Sequence, residues 1–285
     1  MILKNLNSLQ KIQLIKYLKK TKINYFNKNK ILLASNLAWE KDYFYHLLSF
    51  FSNKKIYVFS SNDKKFIQAK IEIILFKPDI IFHFSDEIGD IPLFNELSKL
   101  TKLYLRQYSF KHYPLYDNIH IIPLGYQTGM FDKLPINLNI PNITDRKYKW
   151  AFIGDFSKNN ERRTMVKTIS SIKPFKLGKA NPSEMKDIYM NSIFIPNTRG
   201  NCVLDCFRLY EATACGAIPI LVGPKNECDY LIKSQKNPPW LSFNNWNDAK
   251  LYMENYDDKK IQELQKLNIN WWNSRMIFLI DLMSK

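Results

Sequence analysis

Asp205, Arg208 and Glu211 stand at every third position inside the stretch 191–223, NSIFIPNTRGNCVLDCFRLYEATACGAIPILVG. With residues 204–215 read as a helix, the three share one stripe while Phe207, Leu209, Tyr210 and Ala214 cover the other faces. A helix packed on a parallel sheet buries most of its surface, so ionisable groups there need one another or a ligand. As partners of one another they form a salt-bridge row on a solvated face. Turned toward a ligand, they form a binding site.

A second group surrounds an apolar strand, Ile80–Phe84, which carries His83 and opens into Ser85, Asp86 and Glu87. A buried strand that releases two carboxylates at its carboxyl end suits a general base. The alternative is that Asp86 caps the next turn and His83 is a satisfied core histidine. Arg106 emerges from a further strand toward the same edge, either to meet a phosphate or an acceptor carboxylate, or to hold Asp86 or Glu87 in place. A third group follows the strand 150–154, WAFIG, where Gly154 leads into a helix over 160–172 with Arg162 and Arg163 in its first turn. Cations are disfavoured at a positive helix end unless an anion lies between them, and strand, glycine, loop and helix N-terminus suit phosphate. This is not a G-x-G-x-x-G fingerprint, which argues against a nicotinamide enzyme.

The elements that position these groups are read from apolar runs and their punctuation. Residues 192–196 form a short strand, 198–201 a loop, and 217–222 a second strand after Gly216 stops the helix, which together make one βαβ unit. Its helix starts where a strand ends at its carboxyl edge, the usual ligand edge of an open α/β sheet. Further strands are expected at 31–34, 55–59, 103–108, 119–124, 175–178 and 240–243. Helices are expected at 37–51, before Pro78, at 183–190, 227–234 and 247–266, and from Trp271 to 282. Residues 134–149, rich in proline and asparagine without helical period, read as an interdomain linker.

Pro196, Gly200, Asp205, Arg208, Tyr210, Glu211, Ala212, Gly216, Ile218 and Pro219 together resemble the donor-binding signature of exostosin-like glycosyltransferases, family 47 and relatives. The strand end at His83, Ser85, Asp86 and Glu87, and the pair RQY (106–108) and IPLGY (122–126), resemble the same group. The resemblance implies an α/β chain of GT-B fold, two Rossmann-like domains facing each other across a cleft. Residues 1–135 would be the acceptor domain, 148–268 the nucleotide-sugar domain, and 269–285 a helix crossing back, with Trp271 and Trp272 at the crossing. It implies transfer of a sugar from a nucleoside diphosphate sugar, UDP favoured, to a hydroxyl of a glycan or glycolipid. The donor would be a co-substrate, with no cofactor and no metal.

In such enzymes the glutamate matching Glu211 holds the ribose hydroxyls, as a carboxylate open to the cleft, and an arginine after the first strand faces the diphosphate. Here that is Arg163 ahead of Arg162, with Gly154, Arg199, Gly200, Asp205 and Arg208 completing the implied donor set. Glu87, Asp86 or His83 would act as base, and Arg106 and Tyr126 would meet acceptor or phosphate. Retaining GT-B enzymes often carry another glutamate eight residues before the first. Val203 stands there, which suits the inverting group. Two other readings stay open. A family 10 fucosyltransferase-like enzyme using a GDP-sugar usually has Thr-Glu-Lys where this chain has Cys206, Phe207 and Arg208. The other is a basic nucleic-acid-binding or interaction protein on a degenerate glycosyltransferase body.

The 285 residues suffice for two domains with their own cores, and 46% apolar with 14% aromatic content excludes a disordered chain. The net charge of +16 comes from scattered lysines rather than one arginine-rich stripe, so no nucleic-acid partner is expected. No run of about 18 apolar residues occurs, and a soluble, cytoplasmic protein is expected. Residues 5–20 form an amphipathic basic pattern, Leu6, Leu9, Ile12, Ile15 and Leu18 against Lys11, Lys16, Lys19 and Lys20. It either lies on an anionic membrane or packs on its own domain. Cys202, Cys206, Cys215 and Cys228 follow no zinc spacing and read as reduced thiols.

Overall fold

A computed structural model describes residues 23–37, 39–61, 63–87, 89, 92–111 and 116–285. The amphipathic stretch 5–20, and with it the expected membrane contact, lies outside the described residues. The chain is α/β and divides into two compact units, residues 1–37, 48–122 and 283–285 in the first and 38–47 and 123–282 in the second.

Among the described residues the first unit has six strands in sequential order, β1 (Ile23–Phe26), β2 (Asn29–Leu33), β3 (Lys55–Ser60), β4 (Ile80–Phe84), β5 (Leu103–Arg106) and β6 (Ile119–Ile121). From β2 onward every pairing is parallel, whereas β1 pairs antiparallel with β2 around Asn27, whose φ is 51°. Helix α1 (Lys41–Leu48) follows β2 in the chain but belongs almost wholly to the second unit. Helix α2 (Phe66–Phe76) joins β3 to β4, and α3 (Pro92–Asn95) runs into a 3₁₀ turn before β5. Lys77 ends α2 by turning left-handed (φ 52°) with its N–H on the Ile73 carbonyl at 2.8 Å, and Pro78 cannot continue the helix. Tyr57, Phe59, Ile81 and Tyr104 pack on one face of the sheet against Ala69 and Ile73 of α2 and against Phe94 and Leu97. The described strands are added in one direction and never reverse, so they lack the crevice that a change of winding direction opens.

The second unit does reverse. Its strands are β7 (Tyr148–Ile153), β8 (Phe175–Gly178), β9 (Ser192–Asn197), β10 (Ile218–Val222) and β11 (Leu241–Phe243), in spatial order β11-β10-β9-β7-β8 and all parallel. The chain leaves β7 for one neighbour and returns to place β9 on the other side, which is the doubly wound order 2-1-3-4-5. Its further helices are α4 (Asn160–Ile169), α5 (Pro182–Met190), α6 (Phe207–Ala214), α7 (Lys225–Ser234), α8 (Trp246–Glu254) and α9 (Asp258–Ser284). Met165 and Ile169 of α4 join Trp246, Ala249 and Met253 of α8 over Trp150, Phe152, Phe194 and Ile220. Right-handed crossovers put α5 and α6 on the opposite face, where both pack on β9.

Two segments differ from their expected form. Residues 134–149 are tied down: Arg146 donates through Nη1 to the carbonyls of Tyr189 and Ser192 and through Nη2 to those of Pro141 and Cys215, at 2.7 to 3.4 Å. The expected final helix continues from its predecessor, since a short break after Glu254 is followed by one helix, α9. On it Trp272 donates to the Pro135 carbonyl at 2.7 Å and Trp271 to that of Lys236 at 3.2 Å, both partners within the second unit.

Candidate functional site

The reversal of the second sheet lies between β7 and β9, and the residues at their carboxyl ends are Gly154 on one side and Asn197 and Thr198 on the other. Gly154 has φ +144°, and a Cβ there would stand 3.5 Å from Arg208 Nη2. That distance is ordinary van der Waals contact, so the positive φ is what calls for glycine here, and the Arg208 guanidinium lies beside the main chain of the strand end. Arg208, in the first turn of α6, is half-buried, with its charge 4.2 Å over the Phe152 ring and Nη1 on Cys206 Sγ at 3.6 Å. Its Nε has no hydrogen-bond partner, and among the described residues no carboxylate forms a salt bridge with it.

Arg162 reaches the same ring from α4, its guanidinium 5.7 Å from the centroid. It donates through Nη1 to the Asp155 carbonyl at 2.9 Å and through Nη2 to those of Arg199 and Gly200 at 3.1 and 3.4 Å, so it ties the loop after β7 to the loop after β9. Burial, and then the charge of Arg208, lower its pKa from the ordinary arginine value. Two cations at two helix N-termini, neither of them salt-bridged among the described residues, make a site that favours an anion. Arg163, the arginine ranked ahead, is exposed and donates to Ser157 O and Asn160 Oδ1 at the start of its own helix. One residue along a helix is a turn of about 100°, so only one of two neighbouring arginines can face the crevice.

Other expected donor residues take different places. Arg199 is bridged to Glu161 and Glu227, so its charge is already met. Gly200 lends its carbonyl to Arg162 and its N–H to the Val203 carbonyl at 3.1 Å. Helix α6 begins at Phe207, because Cys206 is extended (φ −143°, ψ 160°), and Asp205 falls outside the expected stripe. Its buried carboxylate accepts from Tyr210 Oη at 2.6 Å and Gln235 Nε2 at 3.4 Å, which anchors the loop to α6 and α7. Glu211 is on α6 as expected but only 1% exposed, and Oε1 accepts the Gln127 backbone N–H at 3.1 Å. Burial pushes its pKa up to about 7, against the opposing pull of that N–H and of Arg208. Two further buried groups had no signal in the sequence. Thr198 Oγ1, at the end of β9, is without a hydrogen-bond partner, and the Tyr189 hydroxyl on α5 lies within the field of Arg208.

In the first unit Ser85 turns left-handed (φ 53°) directly after β4, a conformation uncommon for serine. Asp86 is buried there, accepting from Ser61 Oγ at 2.6 Å and from Arg106 Nη2 at 3.1 Å. Arg106 is equally buried and donates through Nη1 to Asn95 Oδ1 at 2.7 Å. It holds Asp86, one of the two roles open for it. His83 stacks on Phe59 at 4.4 Å, with Nδ1 3.0 Å from Tyr104 Oη, and burial keeps its pKa well below the ordinary value, so it is neutral. Of the three expected bases only Glu87 is partly exposed. Tyr126, expected at acceptor or phosphate, is buried in the second unit with its hydroxyl 2.6 Å from His46 Nδ1 and its ring edge-on to Tyr43 and Phe131.

No family model matches the chain, and no curated protein matches it. Among the described residues no helix is long and apolar enough to cross a membrane.

Proposed function

We propose that the second unit binds a nucleoside diphosphate sugar, UDP-linked in the favoured case, and that the chain transfers the sugar to a hydroxyl of a glycan or glycolipid. The observation that carries this reading is Arg208 at the β7/β9 reversal: a cation without a carboxylate salt bridge among the described residues, lying beside the strand end at Gly154 and over the Phe152 ring. A diphosphate is the ligand class that suits two guanidiniums and a helix N-terminus at a doubly wound reversal. The reading gains from the resemblance of the 196–219 signature to exostosin-like GT-B glycosyltransferases. In that frame Arg208, with α4 and α6, would neutralise the leaving diphosphate, which is the electrostatic part of catalysis and needs no Asp-x-Asp metal. Inversion at the sugar carbon then requires a group to take the acceptor's proton, and of Glu87, Asp86 and His83 the one that is partly exposed is Glu87.

A thermal-shift panel of UDP, GDP, CDP and ADP tests this directly, because a ligand at about 100 times its Kd stabilises by about 2.7 kcal/mol. Stabilisation by UDP that is reduced in Arg208→Ala is the expected result. A shift with GDP alone would move the assignment to a fucosyltransferase-like donor. No shift with any nucleotide, together with salt-sensitive binding to nucleic acid, would replace it with a nucleic-acid-binding protein.

A further inference from the structure

Glu211 is held by a segment far from it in sequence. The chain after β6 passes through Gly125 (φ +83°) and Gly129 (φ +86°), and between them the Gln127 N–H points at Glu211 Oε1, 3.1 Å away. This segment is clamped to residues 39–46 along its length. Thr128 N–H donates to the Trp39 carbonyl at 2.6 Å, Gly129 N–H to Asp42 Oδ2 at 2.8 Å, and Tyr126 Oη lies 2.6 Å from His46 Nδ1. At Gly125 any Cβ would stand 2.2 Å from Tyr43 Cδ1, so the backbone there lies directly against the ring. A donor fixed at so many points gives the carboxylate one orientation.

We propose that the Gln127 N–H is a positioning group for Glu211, pinning Oε1 so that Oε2 is the oxygen offered to the nucleotide's ribose hydroxyls. This rests on the nucleotide reading of the second unit and deepens it. Among the described residues Oε2 accepts no hydrogen bond. Burial makes this carboxylate poor at ionising even with the N–H favouring its charge, and ribose hydroxyls donate better to the ionised form, so nucleotide binding is coupled to loss of a proton. The titratable groups that feel Glu211 are Arg208 and Cys206 at the start of its helix, Cys215 at its end, and Tyr189 from α5. Burial holds both thiols and the phenol neutral, so Arg208 is the one charge among them. Arg208 draws the carboxylate toward ionisation as the ligand arrives.

The test follows the Gln127 amide proton by NMR across pH 5 to 9, with and without saturating UDP. The expected result is a resonance titrating near pH 7 in the free protein, with a midpoint lowered by at least about one pH unit by UDP, and UDP affinity at least about fivefold weaker at pH 6 than at pH 8. Whatever pH dependence survives in Glu211→Gln belongs to the UDP phosphate and is subtracted. Gln127→Ala keeps the N–H and should change neither midpoint. Gln127→Pro removes it, which should raise the Glu211 midpoint read from its carboxyl carbon and weaken UDP about tenfold. An amide that does not titrate, or one whose midpoint UDP leaves unmoved while binding, overturns the proposal without any variant. An amide that titrates in a protein that binds no nucleotide overturns the functional reading instead, and with it the ribose half of this proposal.

Discussion

Glu211 accepts the backbone N–H of Gln127 at 3.1 Å, and no other hydrogen bond reaches this carboxylate among the described residues. One neutral donor does not replace the hydration of an ionised group, which is why burial raises Glu211 to about 7 from the ordinary value of 4.5.

The raised value sets a pH dependence of stability. With the folded pKa above the unfolded one, the folded chain holds the extra proton between about pH 4.5 and 7, so stability falls as pH rises through that window. Each pH unit of the window is worth about 1.4 kcal/mol, so the loss is on the order of 3 kcal/mol. Glu211→Gln stays neutral and should be more stable than the wild type at pH 8, with little difference at pH 4.5. Urea unfolding midpoints at the two pH values check this; parallel curves for the two proteins would rule it out. The carboxylate expected to stand open to the cleft is instead buried.

Arg208→Ala should weaken UDP by roughly 10- to 100-fold, the range of about 1.5–3 kcal/mol for losing a charge-assisted hydrogen bond. Stability should hold, because the change also removes a like charge from beside Arg162. Calorimetric titration with UDP and a melting curve separate the two effects. Intact affinity would remove the observation on which the nucleotide reading rests.

Arg106→Ala leaves Asp86 buried beside a neutral histidine, and breaking a buried pair this way costs about 3–5 kcal/mol. Asp86→Asn with Arg106→Met should recover most of that loss, since neither group then needs a charged partner. Chemical denaturation of the single and double variants measures the recovery, and simple additivity would show that the pair is not the cause.

Gly125→Ala should cost more than about 2 kcal/mol, because it combines a left-handed φ with a Cβ inside the Tyr43 ring contact. Gly178→Ala, at φ +130° with nothing within 4 Å, suffers backbone strain alone and should cost less. Melting temperatures of the two variants rank them.

Glu87→Gln should leave UDP affinity intact while lowering turnover by at least about 10²-fold, the usual range for a positioned base. Sugar transfer measured at saturating donor decides it; full turnover would exclude Glu87 from proton transfer.

The apolar runs in the sequence determined every described strand but one to within a few residues at either end, for most of them because a strand buried on both faces shows itself in composition alone. The strand that escaped is β1, INYF, whose mixed residues are largely exposed and which exists only by pairing with β2. The break after Glu254 and the long α9 were hidden likewise, because residues 255–257 carry no glycine or proline to mark where one helix ends. At the site, residue types and spacing marked Arg208, Glu211 and Gly154, all of which the structure places around the end of β7 or on the helix beside it. Which of Arg162 and Arg163 faces the crevice, whether Asp205 is on the helix, and how deeply Glu211 is buried depended on angles and partners up to 84 residues away. Periodicity is a local property of the chain. The winding order of a sheet and the donor that meets a carboxylate are settled between segments distant in sequence, by which surfaces exclude water together.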